Sequence, residues 1–304
     1  MVLANRFGLP QPIVDAIKND PYTPGEKADI SVTTLISPPR IRMLKKRHKD
    51  EIVEDASEGL WRLLGQAVHH ILERGETPGH LKEKRLYANV LGWVVSGQFD
   101  MLRLVDGVLF DFKVTSVYSF LLGDKPEWTN QMNVLAWILR IRGYDVKGLK
   151  ICAILRDHSS GKALGDKDYP QIPFQEVSID LWSHEKADSY VGSRVIVHQL
   201  AEKMPDENLP MCTPEERWER PETWAVMKKK DSKRAHRVFE DMAAAYDLAR
   251  ASNMFVVNRK GESVRCARFC SAAPFCEFGK KQLTDTRTDN NEKAVEEIVG
   301  QEAR

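Results

Sequence analysis

The spacing of apolar side chains predicts an alternating order of helices and strands in the middle of the chain. In residues 56–74, leucine, isoleucine and valine recur every three to four positions, which is the period of an α-helix. Residues 92–104 alternate between polar and apolar side chains, which is the period of a strand. In chain order the predicted elements are a helix at 56–74, strands at 83–89, 92–104 and 108–114, a helix at 127–143 and a strand at 149–155. This order predicts an α/β core.

The segments on either side of this core suggest four regions. Residues 30–35 are rich in β-branched side chains and favour a strand, and residues 40–49 predict a strongly basic helix. Further helices are predicted at 183–203 and 241–251, with short strands within 224–239. We therefore divide the chain into a lead-in at 1–29, a core at 30–205, an extension at 206–281 and an acidic tail at 282–304 that is predicted to fray.

Composition and charge narrow the class of protein. The chain has 304 residues, of which 42% are hydrophobic and 29% charged, as in globular proteins. It contains no run of 18 apolar residues, and its N-terminus lacks the pattern of a signal peptide. We therefore expect a cytoplasmic protein whose five cysteines are thiols, metal ligands or catalytic groups rather than disulfides. The net charge of +1 permits a nucleic-acid partner, because the acidic tail masks a mildly basic body.

The second and third predicted strands carry charged residues into the sheet. Asp106-Gly107 predicts a two-residue turn, which would place Asp100 directly opposite Lys113 and Asp111 diagonally across on the same face. Such charges are costly to bury unless they have partners. Two interpretations follow: a structural salt bridge, or a site at which two carboxylates bind Mg²⁺ or Mn²⁺ and the lysine acts on a water molecule.

Four motifs, in this order, resemble those of the PD-(D/E)XK nucleases, and within them the RecB-like exonucleases and their phage relatives. Residues 65–73, GQAVHHILE, resemble the family's G-x-x-x-H-x-x-L-E helix. Residues 97–100, GQFD, match its G-x-x-D strand, and residues 111–113, DFK, match its D-x-K strand. Gln131 begins the Q-x-x-x-Y helix, in which Leu135 replaces the tyrosine.

This resemblance covers roughly residues 30–155 and implies both a fold and a function. The implied fold is a restriction-endonuclease-like core, with a central mixed sheet flanked by helices, followed by a helical, cysteine-bearing extension. The implied function is that of a metal-dependent DNA exonuclease in phage or bacterial recombination or repair. DNA would be its substrate, a recombination or single-strand annealing protein a candidate partner, and the bacterial or host cytoplasm its location.

The resemblance also assigns the ligands of a Mg²⁺ or Mn²⁺ site. They are the side chains of His69, Asp100 and Asp111 and the backbone carbonyl of Phe112. A histidine on an apolar helix is otherwise a packed, hydrogen-bonded core residue. The metal would lower the pKa of a bound water and neutralise charge on the scissile phosphate.

Other residues are candidates for catalysis beside the metal. Lys113 would orient the attacking water and stabilise the transition state, and Gln131 would position the water or the DNA strand. Glu73, one helical turn after His69, is a candidate for contacting the metal or its water, or is an ordinary surface residue. Glu83 on the first strand is a further candidate.

Three of the five cysteines, Cys266, Cys270 and Cys276, fall within eleven residues and predict a second metal centre. We assign the fourth ligand to Cys212 in a predicted loop, because Cys152 lies in an apolar strand. Some of the resembling nucleases hold a [4Fe–4S] cluster with three such cysteines and one before the core. This chain has no cysteine before Cys152, so a [4Fe–4S] cluster and a structural Zn²⁺ remain alternatives.

Two rival functions remain open from the sequence. One is a catalytically inactive DNA-binding or scaffold protein that retains the nuclease fold, which the replacement at Leu135 favours. The other is a zinc-stabilised nucleic-acid-binding module with an incidental acidic hairpin. Under each of these hypotheses, the basic segments 40–49 and 228–237 either contact DNA phosphates or form solvated surfaces.

Overall fold

The computed structural model describes residues 2–20, 25, 27–75, 78–123, 125–229 and 232–283. Its helices are α1 Gln11–Lys18, α2 Val32–Ile36, α3 Pro39–Arg47, α4 Leu60–Glu73, α5 Val117–Leu121, α6 Pro126–Ile141, α7 Ser160–Gly165, α8 His184–Lys203 and α9 Met242–Ser252. Its strands are β1 Val2–Ala4, β2 Ile30–Ser31, β3 Val53–Asp55, β4 His80–Val90, β5 Trp93–Arg103, β6 Val108–Thr115, β7 Gly148–Leu155, β8 Phe174–Ile179, β9 Glu219–Arg220, β10 Thr223–Met227, β11 Arg237–Phe239, β12 Phe255–Arg259 and β13 Glu262–Ser263. None of the helices described has the length and hydropathy needed to span a membrane.

Contacts between these elements divide the chain into two compact units. The first unit combines Met1–Pro39 with Val53–Lys203. The second combines Arg40–Ile52 with the described part of Met204–Arg304. The basic segment 40–52, which falls inside the core predicted from the sequence, therefore belongs with the C-terminal residues.

A mixed sheet forms the centre of the first unit. One edge of β5 pairs with β4, and the other edge pairs with β2 near its start and with β6 near its end. The sheet continues through β7 to β8, with β6 and β7 parallel and β7 and β8 antiparallel. The predicted order of helix, three strands, helix and strand is present as α4, β4, β5, β6, α6 and β7. The predicted α/β fold with a mixed sheet and flanking helices is therefore confirmed.

The helix α6 is buried along its second half. It begins with Pro126 in its first turn and ends at Arg142, and Gly143 follows with a left-handed φ of +83°. All eight residues from Met132 to Leu139 are buried. Leu135 packs where a Cβ atom on Gly97 would come within 2.6 Å of it, so a side chain larger than hydrogen at position 97 would collide with α6. Helix and strand are thereby held close together at the start of the G-x-x-D motif.

The turn between β5 and β6 corrects the predicted hairpin register. Arg103 pairs with Val108, so the connection has four residues rather than two. The side chain of Asp106 folds back, accepting 2.9 Å and 2.7 Å hydrogen bonds from Arg103 Nε and Nη2 and a 3.3 Å bond from the Val108 amide. Gly107 closes the turn with a φ of +68° and donates its N–H to the Arg103 carbonyl. The side-chain ion pair therefore selects a longer turn than the dipeptide alone predicts.

The start of the core also differs from the sequence prediction. Only Ile30 and Ser31 form a strand, and residues 32–36 form the helix α2 instead of continuing the strand. The cause is a helix cap, because the Ser31 hydroxyl accepts a hydrogen bond from the Thr34 backbone N–H. This cap outweighs the β-propensity of the branched residues.

The second unit is a mixture of short strands and helices. A three-stranded sheet in the order β11–β10–β12 packs against α9, and β9 pairs with β13. The basic helix α3 is tied to the unit through Asp206, which contacts Arg47 and His48, and His48 also stacks on Phe275 with ring centroids 4.2 Å apart. The prediction of a helical extension is therefore corrected to a mixed one. The predicted acidic tail lies outside the described residues from position 284 onward.

Candidate metal centre and cysteine cavity

Two carboxylates lie next to each other where β5 and β6 pair. The pairing runs from Arg103–Val108 to Met101–Phe110, and Asp100 and Asp111 come next along their strands. Asp100, rather than facing Lys113 as predicted, is thus the neighbour of Asp111. Asp111 is buried, and Asp100 accepts a 2.6 Å hydrogen bond from the Phe112 backbone N–H. The two acidic side chains are therefore brought together in a poorly hydrated place.

A histidine and a glutamate complete a cluster around Asp100. His69 on α4 places its Nδ1 3.5 Å from Asp100 Oδ2 and 3.7 Å from Glu83 Oε1. One ligand atom from each of His69, Glu83 and Asp100 lies within 4.8 Å of the other two. Carboxylate oxygens are ligands that suit Mg²⁺ and Mn²⁺, and imidazole nitrogen is a common ligand of divalent transition metals. These three residues are therefore placed to hold one such ion.

The position of Glu83 depends on a distortion of β4. Lys82 pairs with Met101 and Lys84 pairs with Phe99, which places Glu83 across from Asp100. Glu83 itself adopts a left-handed φ of 44°, which is rare for a side-chain-bearing residue in a strand. Its Oε2 accepts a 2.8 Å hydrogen bond from Gln98, which fixes the carboxylate beside His69. Local strain of this kind is concentrated at functional sites.

Lys113 and Gln131 form a second group around Asp111. Lys113 Nζ lies 2.8 Å from Asp111 Oδ2 and donates a 3.0 Å hydrogen bond to Gln131 Oε1. Gln131 Nε2 in turn donates a weak 3.4 Å bond to Asp111 Oδ1. The ion pair has a short distance but not the angle of a hydrogen bond, and Asp111 Oδ2 accepts none from the described residues. A buried carboxylate oxygen in this state fits a place beside a bound cation.

Electrostatics at the cluster reflect burial and crowding of like charges. Burial, followed by the charge of Asp111, raises the pKa of Asp100 to about 7. The pKa of His69 is also raised, mainly by interaction with Glu83. Protons thus occupy the cluster near neutral pH when no cation is bound. A divalent ion would compete with these protons for the same oxygen and nitrogen atoms.

The structure does not bring every predicted site residue into the cluster. Glu73 is about half exposed and lies beside His70, with 3.8 Å between its Oε2 and His70 Nδ1. Phe112 contacts Asp100 through its amide nitrogen, while the role of its carbonyl as a ligand stays a prediction. Leu135, in place of the family's tyrosine, is a core residue and 3% exposed. Glu83, by contrast, joins the cluster although no motif marked it.

The four predicted cysteine ligands line one cavity in the second unit. Cys212, Cys266, Cys270 and Cys276 share its wall with α3 and with small residues of the 272–279 segment. Burial raises the pKa of Cys212 to about 12 and that of Cys266 to about 11. Cys152 belongs to β7 of the first unit and is not among the residues that line this cavity. The cavity therefore gathers the thiols that the sequence assigned to a metal centre.

The spacing of these sulfur atoms bears on which metal would fit. A tetrahedral zinc site has Zn–S bonds of roughly 2.3 Å, so its sulfurs lie about 3.8 Å apart. Among the described residues, no three cysteine sulfurs lie within 4.8 Å of one another. An iron–sulfur cubane is larger than a single ion and holds its thiolates farther apart. The cavity therefore leaves a single Zn²⁺ ion and an iron–sulfur cluster as alternatives.

Comparisons with known proteins yield only distant structural similarity. The chain matches no protein-family model and no curated protein. It is similar to the crystal structure of SSO0001, with 14% identity over 61% of this chain and 84% of that chain and a TM-score of 0.44. It is also similar to an alkaline exonuclease, LHK-Exo, from Laribacter hongkongensis (10% identity, 57% and 89% covered, TM-score 0.35) and to a phage-related exonuclease from Haemophilus somnus 129PT (13%, 64% and 82%, 0.27).

The raised pKa of Asp100 predicts a stability change with a definite sign. In the unfolded chain this carboxyl ionises near 3.8, but in the folded protein only near 7, so the folded state loses stability as pH rises between these values. Without metal, Asp100→Asn should therefore gain about 2–4 kcal/mol in free energy of unfolding on going from pH 3.5 to pH 8, relative to wild type. Urea unfolding in the presence of a chelator measures this difference.

Asp106→Asn is the matched control for that experiment. The hydrogen bond that Arg103 donates to the Asp106 carboxylate lowers the pKa of Asp106. The ionised carboxylate therefore stabilises the fold at pH 8, and this stabilisation is lost in acid. The Asp106→Asn variant should consequently shift in the opposite direction over the same pH range. Equal stability changes in both variants would contradict the assigned burial of charge at Asp100.

A second prediction separates the two glutamates. Glu83→Gln should weaken Mn²⁺ binding at least tenfold, because an amide oxygen replaces a charged ligand 3.7 Å from His69. Glu73→Gln should leave Mn²⁺ binding within about twofold of wild type, because Glu73 lies beside His70 instead. Isothermal titration calorimetry with Mn²⁺ measures both. The reverse pattern would place the metal on the far side of α4.

Proposed function

We propose that the protein is a metal-dependent DNA nuclease that hydrolyses phosphodiester bonds. The observation that carries this proposal is the cluster of His69, Glu83 and Asp100, with the ion pair that Lys113 forms with the buried Asp111 next to it. A simple structural salt bridge needs only Asp111 and Lys113, whereas here two further carboxylates, Glu83 and Asp100, converge with His69 beside that pair. The motif resemblance extends the proposal to an exonuclease of the recombination or repair type.

His69, Glu83, Asp100 and Asp111 would hold Mg²⁺ or Mn²⁺ in this function. The bound metal supplies a water of lowered pKa and offsets the charge that develops on the scissile phosphate. Lys113 is held by Asp111 and Gln131, so its ammonium group is fixed at the edge of the cluster. From there it donates a hydrogen bond to the attacking water or to a phosphate oxygen. Gln131 positions Lys113 rather than acting on the substrate directly.

The surface of the same helix supports a nucleic-acid substrate. Trp61 lies two turns before His69 on α4 and is 62% exposed. The guanidinium of Arg156 sits 4.3 Å above its ring centroid. An exposed aromatic ring paired with a cation suits stacking on a nucleobase and attraction to its phosphate. The distance from Trp61 to His69 along the helix is roughly 12 Å, which a few nucleotides of one strand would span.

The cysteine cavity is proposed as the site of a [4Fe–4S] cluster, with structural Zn²⁺ as the alternative. The convergence of four cysteines on one cavity supports a metal centre there, and the motif resemblance favours the cluster. Its binding energy would be coupled to folding of the second unit, because thiolates from distant parts of the sequence must converge. We assign this centre no part in hydrolysis. Cysteines that form no disulfide also suit the reducing cytoplasm expected from the sequence.

The nuclease proposal is tested by separating metal binding from cleavage. Asp111→Asn should abolish Mg²⁺-dependent DNA hydrolysis while DNA binding persists, because an amide is a poor ligand for a hard cation. Lys113→Ala removes no metal ligand and should retain Mn²⁺ binding, with cleavage at least a hundredfold slower. Release of acid-soluble nucleotides and calorimetric Mn²⁺ binding measure the two properties.

The outcomes of this experiment distinguish the rival functions. A wild-type protein that binds DNA and Mn²⁺ but never cleaves would support the inactive scaffold. Near wild-type turnover in a well-folded Asp111→Asn variant would refute the assigned metal site. Loss of both Mn²⁺ binding and folding in Lys113→Ala would identify Asp111 and Lys113 as a structural ion pair.

The metal of the cysteine cavity is predicted separately. Protein purified without oxygen should be brown, contain iron and absorb broadly near 400 nm, roughly as biological [4Fe–4S] clusters do. A colourless protein with one equivalent of zinc would select the alternative. Cys212→Ser should lower metal content and thermal stability, whereas Cys152→Ser should leave the metal in place, because Cys152 lies in β7. The opposite result would refute Cys212 as the fourth ligand.

A further inference from the structure

A buried arginine faces the cysteine cavity. Arg40 on α3 is 5% exposed, and its Nε donates a 3.3 Å hydrogen bond to Cys276 Sγ. Its Nη1 donates to the backbone carbonyl of Leu209. No carboxylate forms an ion pair with Arg40 within the described part of the chain. The positive charge of this side chain is therefore buried against a sulfur atom and a carbonyl.

The other two arginines that line the cavity are held differently. Arg217 forms a 2.5 Å ion pair with Glu219. Arg265 donates to the Glu216 carbonyl at 3.1 Å and lies 5.2 Å from the ring centroid of Trp218. Arg40 is distinguished from both by being almost completely buried and by donating directly to a predicted metal ligand. It is therefore the residue whose charge most needs explaining.

A buried guanidinium requires an anion. Arginine does not give up its proton in proteins, so the charge of Arg40 persists in the interior. A carbonyl and a protonated thiol are both neutral and compensate only part of the lost hydration. Four thiolates on a Zn²⁺ ion, or on a [4Fe–4S]²⁺ core, carry a net charge of −2 after their protons leave to solvent. A metal–thiolate centre in this cavity is such an anion.

We propose that Arg40 is the buried counter-ion of an anionic metal–thiolate centre held by Cys212, Cys266, Cys270 and Cys276. It acts as a positioning residue, because its Nε–H fixes the Cys276 sulfur and its charge balances the centre. This inference rests on the metal centre proposed above. It also explains why α3 belongs to the second unit, since Arg40, Ile41 and Leu44 of that helix line the cavity.

Such a contact has a measurable effect on either metal. A hydrogen bond from a cation to a cluster ligand favours the reduced, more negative state and so raises the reduction potential. For zinc, the same bond lowers the basicity of the sulfur toward protons and slows loss of the ion. Removing the contact should therefore make an iron–sulfur cluster harder to reduce, or a zinc ion quicker to leave.

The experiment uses the full chain, purified without oxygen, and its Arg40→Met variant. If the wild type holds iron, spectroelectrochemical titration should show a lower reduction potential in the variant. At a given applied potential, the ratio of oxidised to reduced cluster should rise at least tenfold, which corresponds to about 59 mV for one electron. If it holds zinc, the rate of release to a chromogenic chelator should rise at least tenfold. Arg40→Lys, which keeps the charge but loses the Nε–H, should lie between the two.

A control and a stability measurement separate this role from simple packing. Lys49→Met removes an exposed positive charge from the same segment and should behave as wild type. After the metal is stripped, Arg40→Met should melt at or above the temperature of wild type, because the buried cation is gone. A variant that melts lower in both forms would make Arg40 merely structural and overturn the inference.

The remaining outcomes distinguish this inference from the proposal on which it rests. A wild-type protein with neither iron nor zinc refutes the metal centre, whatever Arg40 does. A metal-loaded wild type whose reduction potential or zinc release is unchanged in Arg40→Met refutes the counter-ion and leaves the centre standing.

Discussion

Repulsion between two buried carboxylates is the interaction on which the first unit's site depends. Asp100 and Asp111 lie side by side on β5 and β6, and their mutual charge and burial raise the pKa of Asp100 to about 7. Three neighbours relieve this repulsion: the Phe112 amide, Lys113 and His69 each donate to or face a carboxylate. The neighbouring helices and strands thus supply donors, yet one Asp111 oxygen still accepts no hydrogen bond from the described residues. The divalent cation proposed for this site would offset the negative charge that remains.

Hydrophobic periodicity correctly predicted the order of the main core elements from α4 to β7, but the register of the β5–β6 hairpin was predicted wrongly. A rule based on Asp106-Gly107 considers only the backbone preferences of two residues. In the folded chain the Asp106 carboxylate binds Arg103, and this side-chain pair lengthens the turn to four residues. The register changes by two positions, so Asp100 meets Asp111 rather than Lys113. The Asp106-Gly107 dipeptide therefore predicted the hairpin correctly, but the register between its two strands wrongly.

The position of Glu83 opposite Asp100 could have been predicted from the sequence, whereas the division into units could not. Leu91-Gly92 forms a two-residue turn in which both residues have positive φ, so Val90 pairs with Trp93. Counting back along both strands from this turn places Glu83 opposite Asp100. By contrast, nothing in the basic pattern of residues 40–52 indicates that Arg47 and His48 bind Asp206, more than 150 residues away. The periodicity of apolar side chains predicts which face of a helix or strand is buried, but not which distant residues that element contacts.

The two units place charges of opposite sign beside ligand atoms of different chemistry. In the first, carboxylates and an imidazole offer oxygen and nitrogen to a hard cation. In the second, a buried arginine lies beside soft sulfur ligands, which become anionic only on binding a metal. Zn²⁺ or iron in the first site would have no thiolate ligands, and Mg²⁺ in the second site would have no carboxylate ligands from the cysteines. If each site binds the metal proposed for it, metal occupancy and the stability of each unit would be linked. The difference in ligand atoms would then favour a hard cation in the first site and a thiophilic metal in the second.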